Sequence, residues 1–149
     1  MDSDRLKIVQ LVGPEVETVW PIVALMLDTA GKYGLGERSL DDVLTAIVEE
    51  QSQLWLCIKE GEIKSCAVTT LTDYPQYKVV FIDALSGRGA MQFIEAFWDY
   101  FCNWASVNGA VAIEACTRPA MTRLLRKVNM RKVYDVVRYS LERPNVRIN

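Results

Sequence analysis

Apolar residues in this chain recur with two periods, and the places where one gives way to the other mark out the elements. The stretch LKIVQLV at residues 6–12 alternates and predicts a first strand, which Gly13-Pro14 breaks. Over residues 15–30 the apolar positions Val16, Val19, Trp20, Val23 and Leu27 return at helical spacing. Pro21 lies inside this run, so the helix starts near it or kinks there. Gly31, Gly34 and Gly36 predict a loose connection. Ser39 is a good N-cap for a second helix, because Asp41 and Asp42 follow in the first turn, where the helix dipole favours negative charge. Leu40, Val43, Leu44, Ile47 and Val48 form the apolar stripe of that helix.

The period then shortens to that of a strand. LWLCIKE and IKSCAVTTL flank Gly61-Glu62 and predict a hairpin that turns there. A loop at residues 73–76 leads to YKVVFIDAL, residues 77–85, whose nearly unbroken apolar run predicts a central strand covered on both faces. After Gly87 and Gly89, residues 90–106 predict a long amphipathic helix with Phe93, Ile94, Phe97, Phe101, Trp104 and Ala105 on its buried stripe. Asn108-Gly109 stops it. AVAIEAC, residues 110–116, predicts another buried strand. Residues 119–128 predict a helix with proline in its first turn, and Asn129 suits the left-handed conformation that ends it. KVYDVVRYSLE, residues 132–142, predicts the last strand, and the tail 143–149 is expected to fray. The order β-α-α-β-β-β-α-β-α-β gives an α+β fold: one mixed, mostly antiparallel sheet flanked by helices. The β-α-β unit over residues 77–116 places two strands parallel.

A chain of 149 residues, half of it hydrophobic and 24% charged, fits one soluble domain spanning 1–149. The net charge of −2 gives no sign of a nucleic-acid partner. The cluster Arg123, Arg126, Lys127, Arg131, Lys132 reads as a solvated helix end. The apolar run VWPIVALML is too short to span a bilayer, so no membrane partner is expected. The polar start MDSDRLK has no apolar segment behind it, so a cytoplasmic location is expected. The chain has no histidine, which removes Ser-His and Cys-His nucleophile pairs and histidine metal sites together. None of the four cysteines lies within four residues of another, so no CxxC site exists and no metal is expected. Cys57 and Cys66 fall on the two arms of the hairpin; if they face each other, a cross-strand disulfide is open to them, and otherwise they are buried thiols.

The stretch IDALSGRGAMQF, residues 82–93, reads as a strand, a loop with two glycines and a helix. Unpaired N–H groups and the positive end of the helix dipole attract anions there, and glycine lets a ligand come close. A strand-to-helix turn also needs glycine, so cradle and turn both stand. This loop and the order of elements resemble the GNAT (Gcn5-related N-acetyltransferase) superfamily over nearly the whole chain. In that family the pattern Gln/Arg-x-x-Gly-x-Gly/Ala binds the pyrophosphate of acetyl-CoA. Here Ala84-Leu85-Ser86-Gly87-Arg88-Gly89 keeps both glycines but has Ala84 in the leading position. The resemblance implies that Gly87, Arg88, Gly89 and Ala90 hold the pyrophosphate, and that the backbone of Ile82, Asp83, Ala84 and Leu85 receives the pantetheine arm. A second family signature, N-x-x-A-x-x-L-Y-x-x-x-G-F, falls on RPAMTRLLRKVNM. Leu124 is kept, but Leu125 stands where a tyrosine would protonate the leaving thiolate, and Arg118, Met121 and Asn129-Met130 replace the other positions.

Acyl transfer to an amine needs a base or an amine that is already neutral. Asp83 and Glu114 are the acidic candidates, each otherwise a hydrogen-bonded or solvent-facing strand carboxylate. Tyr134, or Tyr74 in the loop, is the candidate for the missing acid, each otherwise a packing residue. Cys116 has no histidine to activate it. The resemblance thus implies an acetyltransferase moving an acetyl group from acetyl-CoA to an amine by direct attack. LSGRGAMQF before a long aromatic helix, with a degenerate last helix, also resembles acetyltransferase-like proteins of tailed phages. That narrower likeness implies an alternative: an inactive, virion-associated scaffold that binds a phage or host protein, its cleft filled by Met91, Phe93 or Leu125. The apolar edge of the C-terminal strand is compatible with a homodimer.

Overall fold

The computed structural model describes residues 5–31 and 37–142. One five-stranded sheet runs in the order β1-β2-β3-β4-β5, with β1 Lys7–Leu11, β2 Ser52–Lys59, β3 Glu62–Asp73, β4 Lys78–Gly87 and β5 Ala110–Ala115. The first four strands pair antiparallel, and β4 pairs with β5 in parallel, as the β-α-β reading requires. The helices are α1 Trp20–Gly31, α2 Leu40–Val48, α3 Ala90–Val107 and α4 Pro119–Leu125.

The alternation along β2 and β3 builds two cores. Leu54, Leu56, Cys66 and Val68 face α1 and α2, where they meet Val23, Leu27 and Ile47. Trp55, Cys57 and Ala67 point the other way, onto Phe93, Phe97, Phe101 and Trp104 of α3. The local signals act as their chemistry dictates. Pro21 is the second residue of α1, where its missing N–H leaves no helical bond unmade. A 3-10 turn over Pro14–Thr18 precedes it. Ser39 and Asp42 form a reciprocal capping box, with N–H to oxygen distances of 2.8 and 3.1 Å. The hairpin turns at Glu60-Gly61, one residue earlier than the sequence suggested. Both residues have positive φ (55° and 75°), the geometry that matches the twist of the flanking strands.

Three readings are resolved, the last of them against the sequence. Cys66 pairs with Leu56 and Cys57 with Ser65, so the two cysteines point to opposite faces of the sheet and are free thiols. The helix after Pro119 reaches Val128 as expected, α over Pro119–Leu125 for about two turns and 3-10 over Arg126–Val128, before Asn129 at φ 66°. Residues 132–142 are not a strand: they carry no regular secondary structure and are exposed throughout. Without them β5 is the end of the sheet, and its Val111 is 70% exposed instead of buried. Gly34, Gly36 and the tail 143–149 lie outside the described residues.

Candidate functional site

Where β4 and β5 part, the sheet opens. Their ladder runs from Lys78↔Ala110 to Ile82↔Ala115 and stops. β4 continues to Gly87, still paired to β3, so residues 83–87 have no β5 partner. The register explains the divergence. Thr69 pairs with Ile82 and Val68 with Ala84, which leaves Asp83 as the extra residue of a β-bulge. A bulge bends and twists its strand, and it sits where β4 leaves β5.

β4 then runs into the glycine loop, where the two glycines do different work. Gly87 has φ +106°, and a Cβ there would lie 2.5 Å from the Lys64 carbonyl oxygen and 2.6 Å from the Ser65 Cα. Only glycine lets β4 finish against the β3 backbone, so Gly87 answers to the turn. Gly89, at φ +68°, is the N-cap of α3, and its absent Cβ would meet only the Gln92 side-chain oxygen at 3.1 Å. No side chain caps the helix, no acidic residue lies in its first turn, and the Phe93 N–H bonds the Gly89 carbonyl at 2.9 Å. The N–H groups at the start of α3 are thus open to an acceptor. Arg88 is exposed beside them and has no ion pair among the described residues. Ser86 donates its hydroxyl to the Met26 carbonyl at 2.6 Å and ties this end of β4 to α1.

The two carboxylates share one face of the sheet. Thr70, Phe81 and Glu114 lie in one row across β3, β4 and β5, on the α1–α2 side. Thr70 donates to Asp83 and contacts Ser52 at 2.8 Å. The Arg38 guanidinium lies 3.4 Å from the other Asp83 oxygen. Burial pushes the Asp83 carboxyl up from its ordinary value, against the opposing pull of Thr70 and Arg38. Glu114 instead accepts a 2.8 Å hydrogen bond from the Tyr74 hydroxyl, and Tyr77 packs edge-on against Tyr74.

That bond sets the Tyr74 proton. Glu114 holds it, and the Tyr74 pKa is pushed up to about 12, so ionisation of the phenol would put two anions together. Changing Glu114 to Gln removes the anionic acceptor and is expected to return Tyr74 toward the ordinary 10.0. NMR titration of tyrosine ring carbons reads this directly. An unchanged titration of all six tyrosines would refute the pairing.

Tyr134 lies in the irregular segment, 74% exposed, with an electrostatic effect on Tyr74 but no hydrogen bond to it. Leu125 is buried, and its hydrocarbon side chain has no proton to give. Phe93 belongs to the core beneath α3. Arg38 and Thr70 had no sequence signal, since their role depends on a register and a loop that bring them to Asp83. No group of metal-binding side chains occurs among the described residues, and among them no helix is long and apolar enough to cross a membrane.

No protein-family model matches the sequence, and no curated protein matches it. Solved structures do. A predicted acetyltransferase with acetyl-CoA from Clostridium acetobutylicum superposes with a TM-score of 0.66 over 92% of this chain and 97% of its own, at 12% identity. The aminoglycoside N-acetyltransferase AAC(6')-Iy in complex with CoA gives 0.64 over 91% and 94%, at 16% identity. Ribosomal-protein-alanine N-acetyltransferase from Brucella melitensis gives 0.63 over 93% and 99%, at 11% identity. These superpositions, each over more than nine-tenths of this chain, give it the GNAT fold.

Proposed function

We propose that the protein is an acyl-CoA-dependent N-acyltransferase, which acetylates an amine by direct attack on the thioester. The observation that carries this reading is the divergence of β4 from β5 directly before the uncapped start of α3. An unpaired strand edge can hydrogen-bond an extended amide-bearing arm, and an uncapped helix start can hold its phosphates. The groups present fit acetyl-CoA in that order. Ala84 and Leu85, past the last rung at Ile82, offer backbone along β4, while Arg88, Gly89 and Ala90 meet the pyrophosphate. Gly87 supports them by letting β4 close on β3. The bound thioester supplies the activated acyl group.

The chain's own residues manage the proton. The amine nitrogen loses one proton as it acylates, and the carboxylates of Asp83 and Glu114, on the same face, are the acceptors within this architecture. Both also favour a cationic amine as the incoming substrate. Tyr74 is held as a neutral phenol by Glu114, which works against its donating a proton. Tyr134 stands in solvent. The departing thiolate is then protonated by water, and a slow enzyme is expected.

Calorimetric titration with acetyl-CoA tests the reading. Micromolar binding is expected, with desulfo-CoA binding comparably because it keeps the pyrophosphate. Arg88→Glu should weaken both by about 10-fold or more, since it replaces a phosphate partner with a repelling charge. No heat at about millimolar ligand would overturn the proposal.

A further inference from the structure

Protein interiors pack with few voids larger than a water molecule. Under α3 this sheet keeps one. A half-open cavity of about 40 Å3 lies between Ala67 and Thr69 of β3, Ile82 and Leu85 of β4, and Phe93 and Phe97 of α3. Its origin is in the register. Trp55, Ala67 and Leu85 form one row across β2, β3 and β4, so the small Ala67 leaves a dip between two large side chains. α3 spans the dip, and its backbone departs from helical geometry there, at Phe97 (φ −116°, ψ 15°). The lining presents only apolar surface. The Thr69 hydroxyl is taken up by the Trp55 indole N–H and the Gln53 side-chain oxygen. Water has nothing to bond in such a space, and an apolar group has no polar rival for it. Its place on β4 matters most. Ile82 is the last residue of β4 paired to β5, and it lines the cavity. The next residue, Asp83, is bonded to Thr70 on the opposite face of the sheet. The split between β4 and β5 thus has a carboxylate on one side and an apolar hollow on the other.

We propose that this hollow receives the tail of the donor's acyl group, and that the protein takes a short linear acyl chain of about four carbons in preference to acetyl. The inference rests on the acyl-CoA reading of the site. In that reading the pantetheine follows β4 from Leu85 toward Ile82, so the thioester ends at the split. An acetyl group stops there and leaves the hollow empty. A water-sized group needs about 10–15 Å3 of such space, so the 40 Å3 present admits roughly two to three groups of methylene size. A butyryl chain supplies two beyond acetyl. An aromatic acyl group is too large, since a benzene ring occupies a cavity of roughly 150 Å3. The acceptor is excluded as well, because its cation would be buried without a partner. The transfer keeps its form: the amine nitrogen bonds to the acyl carbon, the carbon–sulfur bond breaks, Asp83 or Glu114 takes the amine proton, and the thiolate takes one from water.

Calorimetry on the full chain with acetyl-CoA, butyryl-CoA and hexanoyl-CoA tests this. Each buried methylene is worth about 4-fold in affinity, so butyryl-CoA should bind about 15-fold tighter than acetyl-CoA. Hexanoyl-CoA should gain nothing more, because the hollow is then full. Ala67→Leu fills it from its floor, away from the glycine loop and the carboxylates. That variant should bind acetyl-CoA as the parent does and butyryl-CoA no better. Should leucine there prevent folding, Ala67→Val adds two carbons at the same place and carries the same comparison. Xenon under pressure gives a readout without any CoA ester: the methyl resonances of Ile82 and Leu85 should shift in the parent and stay put in the filled variant. Equal binding of acetyl-CoA and butyryl-CoA overturns the acyl pocket and leaves the acyl-CoA reading standing. A butyryl preference that survives filling puts the tail elsewhere and overturns it too, as does a parent that takes up no xenon. Failure of all three esters to bind overturns the acyl-CoA reading, and the pocket with it.

Discussion

Replacing Trp55 with alanine is expected to destabilise the protein by about 3–5 kcal/mol, a large share of the 5–15 kcal/mol typical of a domain. Trp55 is 2% exposed and is the point where β2 grips α3. Its ring meets Phe101 at 5.4 Å and Trp104 at 4.9 Å, both edge-to-face. Its indole N–H donates to the Thr69 hydroxyl at 2.8 Å, and that hydroxyl donates onward to the Gln53 side-chain oxygen at 2.9 Å. Alanine removes the rings' partner and the donor together. The space left by alanine would join a small apolar cavity of about 40 Å3 that already borders Trp55, Phe97 and Phe101, enlarging the void. Trp55→Phe keeps most of the contact but deletes the N–H, and should cost about 1–3 kcal/mol for the unmatched buried hydroxyl. Denaturant unfolding of both variants measures the difference. A loss under about 1 kcal/mol for alanine would mean that α3 is held elsewhere. The effect extends to the candidate site, since α3 carries the open N–H groups at its start.

Much of this architecture was legible because local chemistry and burial agree. The Ser39 cap, the proline at the start of α1 and the hairpin glycine each demand one backbone geometry whatever surrounds them. The apolar run of β4 and the aromatic stripe of α3 announced the two layers they join. The failures share a cause. Alternation in residues 132–142 announces a strand that wants a partner, but cannot say whether the partner edge belongs to the same chain. β5 was read as buried from its apolar residues alone, and its Val111 is exposed because no described strand lies beyond it. At the site, the sequence could name Asp83 and Glu114 as acids but not their company. The contact of Asp83 with Thr70 and Arg38 depends on a one-residue bulge, and that of Glu114 with Tyr74 joins residues forty positions apart. Register, and not residue type, decides both.

Gly87→Ala and Gly89→Ala should separate the two jobs of the loop. At Gly87 the new Cβ meets backbone on β3, at 2.5 Å from the Lys64 oxygen, and φ +106° is hostile to any side chain. Neither contact can swing aside, so the end of β4 must shift, at about 2–4 kcal/mol in stability. At Gly89 the nearest atom is the tip of the flexible Gln92 side chain, and φ +68° is a left-handed value that alanine tolerates at about 1 kcal/mol. Thermal unfolding should therefore fall sharply for Gly87→Ala and only slightly for Gly89→Ala. Acetyl-CoA binding breaks the pattern if the helix start is a phosphate cradle. Gly89→Ala would then lose about 10-fold in affinity or more while remaining folded, because the methyl group stands where the pyrophosphate approaches the N–H groups. If Gly89→Ala binds as the parent does, the loop is a turn at both glycines, and the case for an acyl-CoA enzyme loses its phosphate site. If it loses binding with its stability kept, turn and cradle are one loop with a glycine for each.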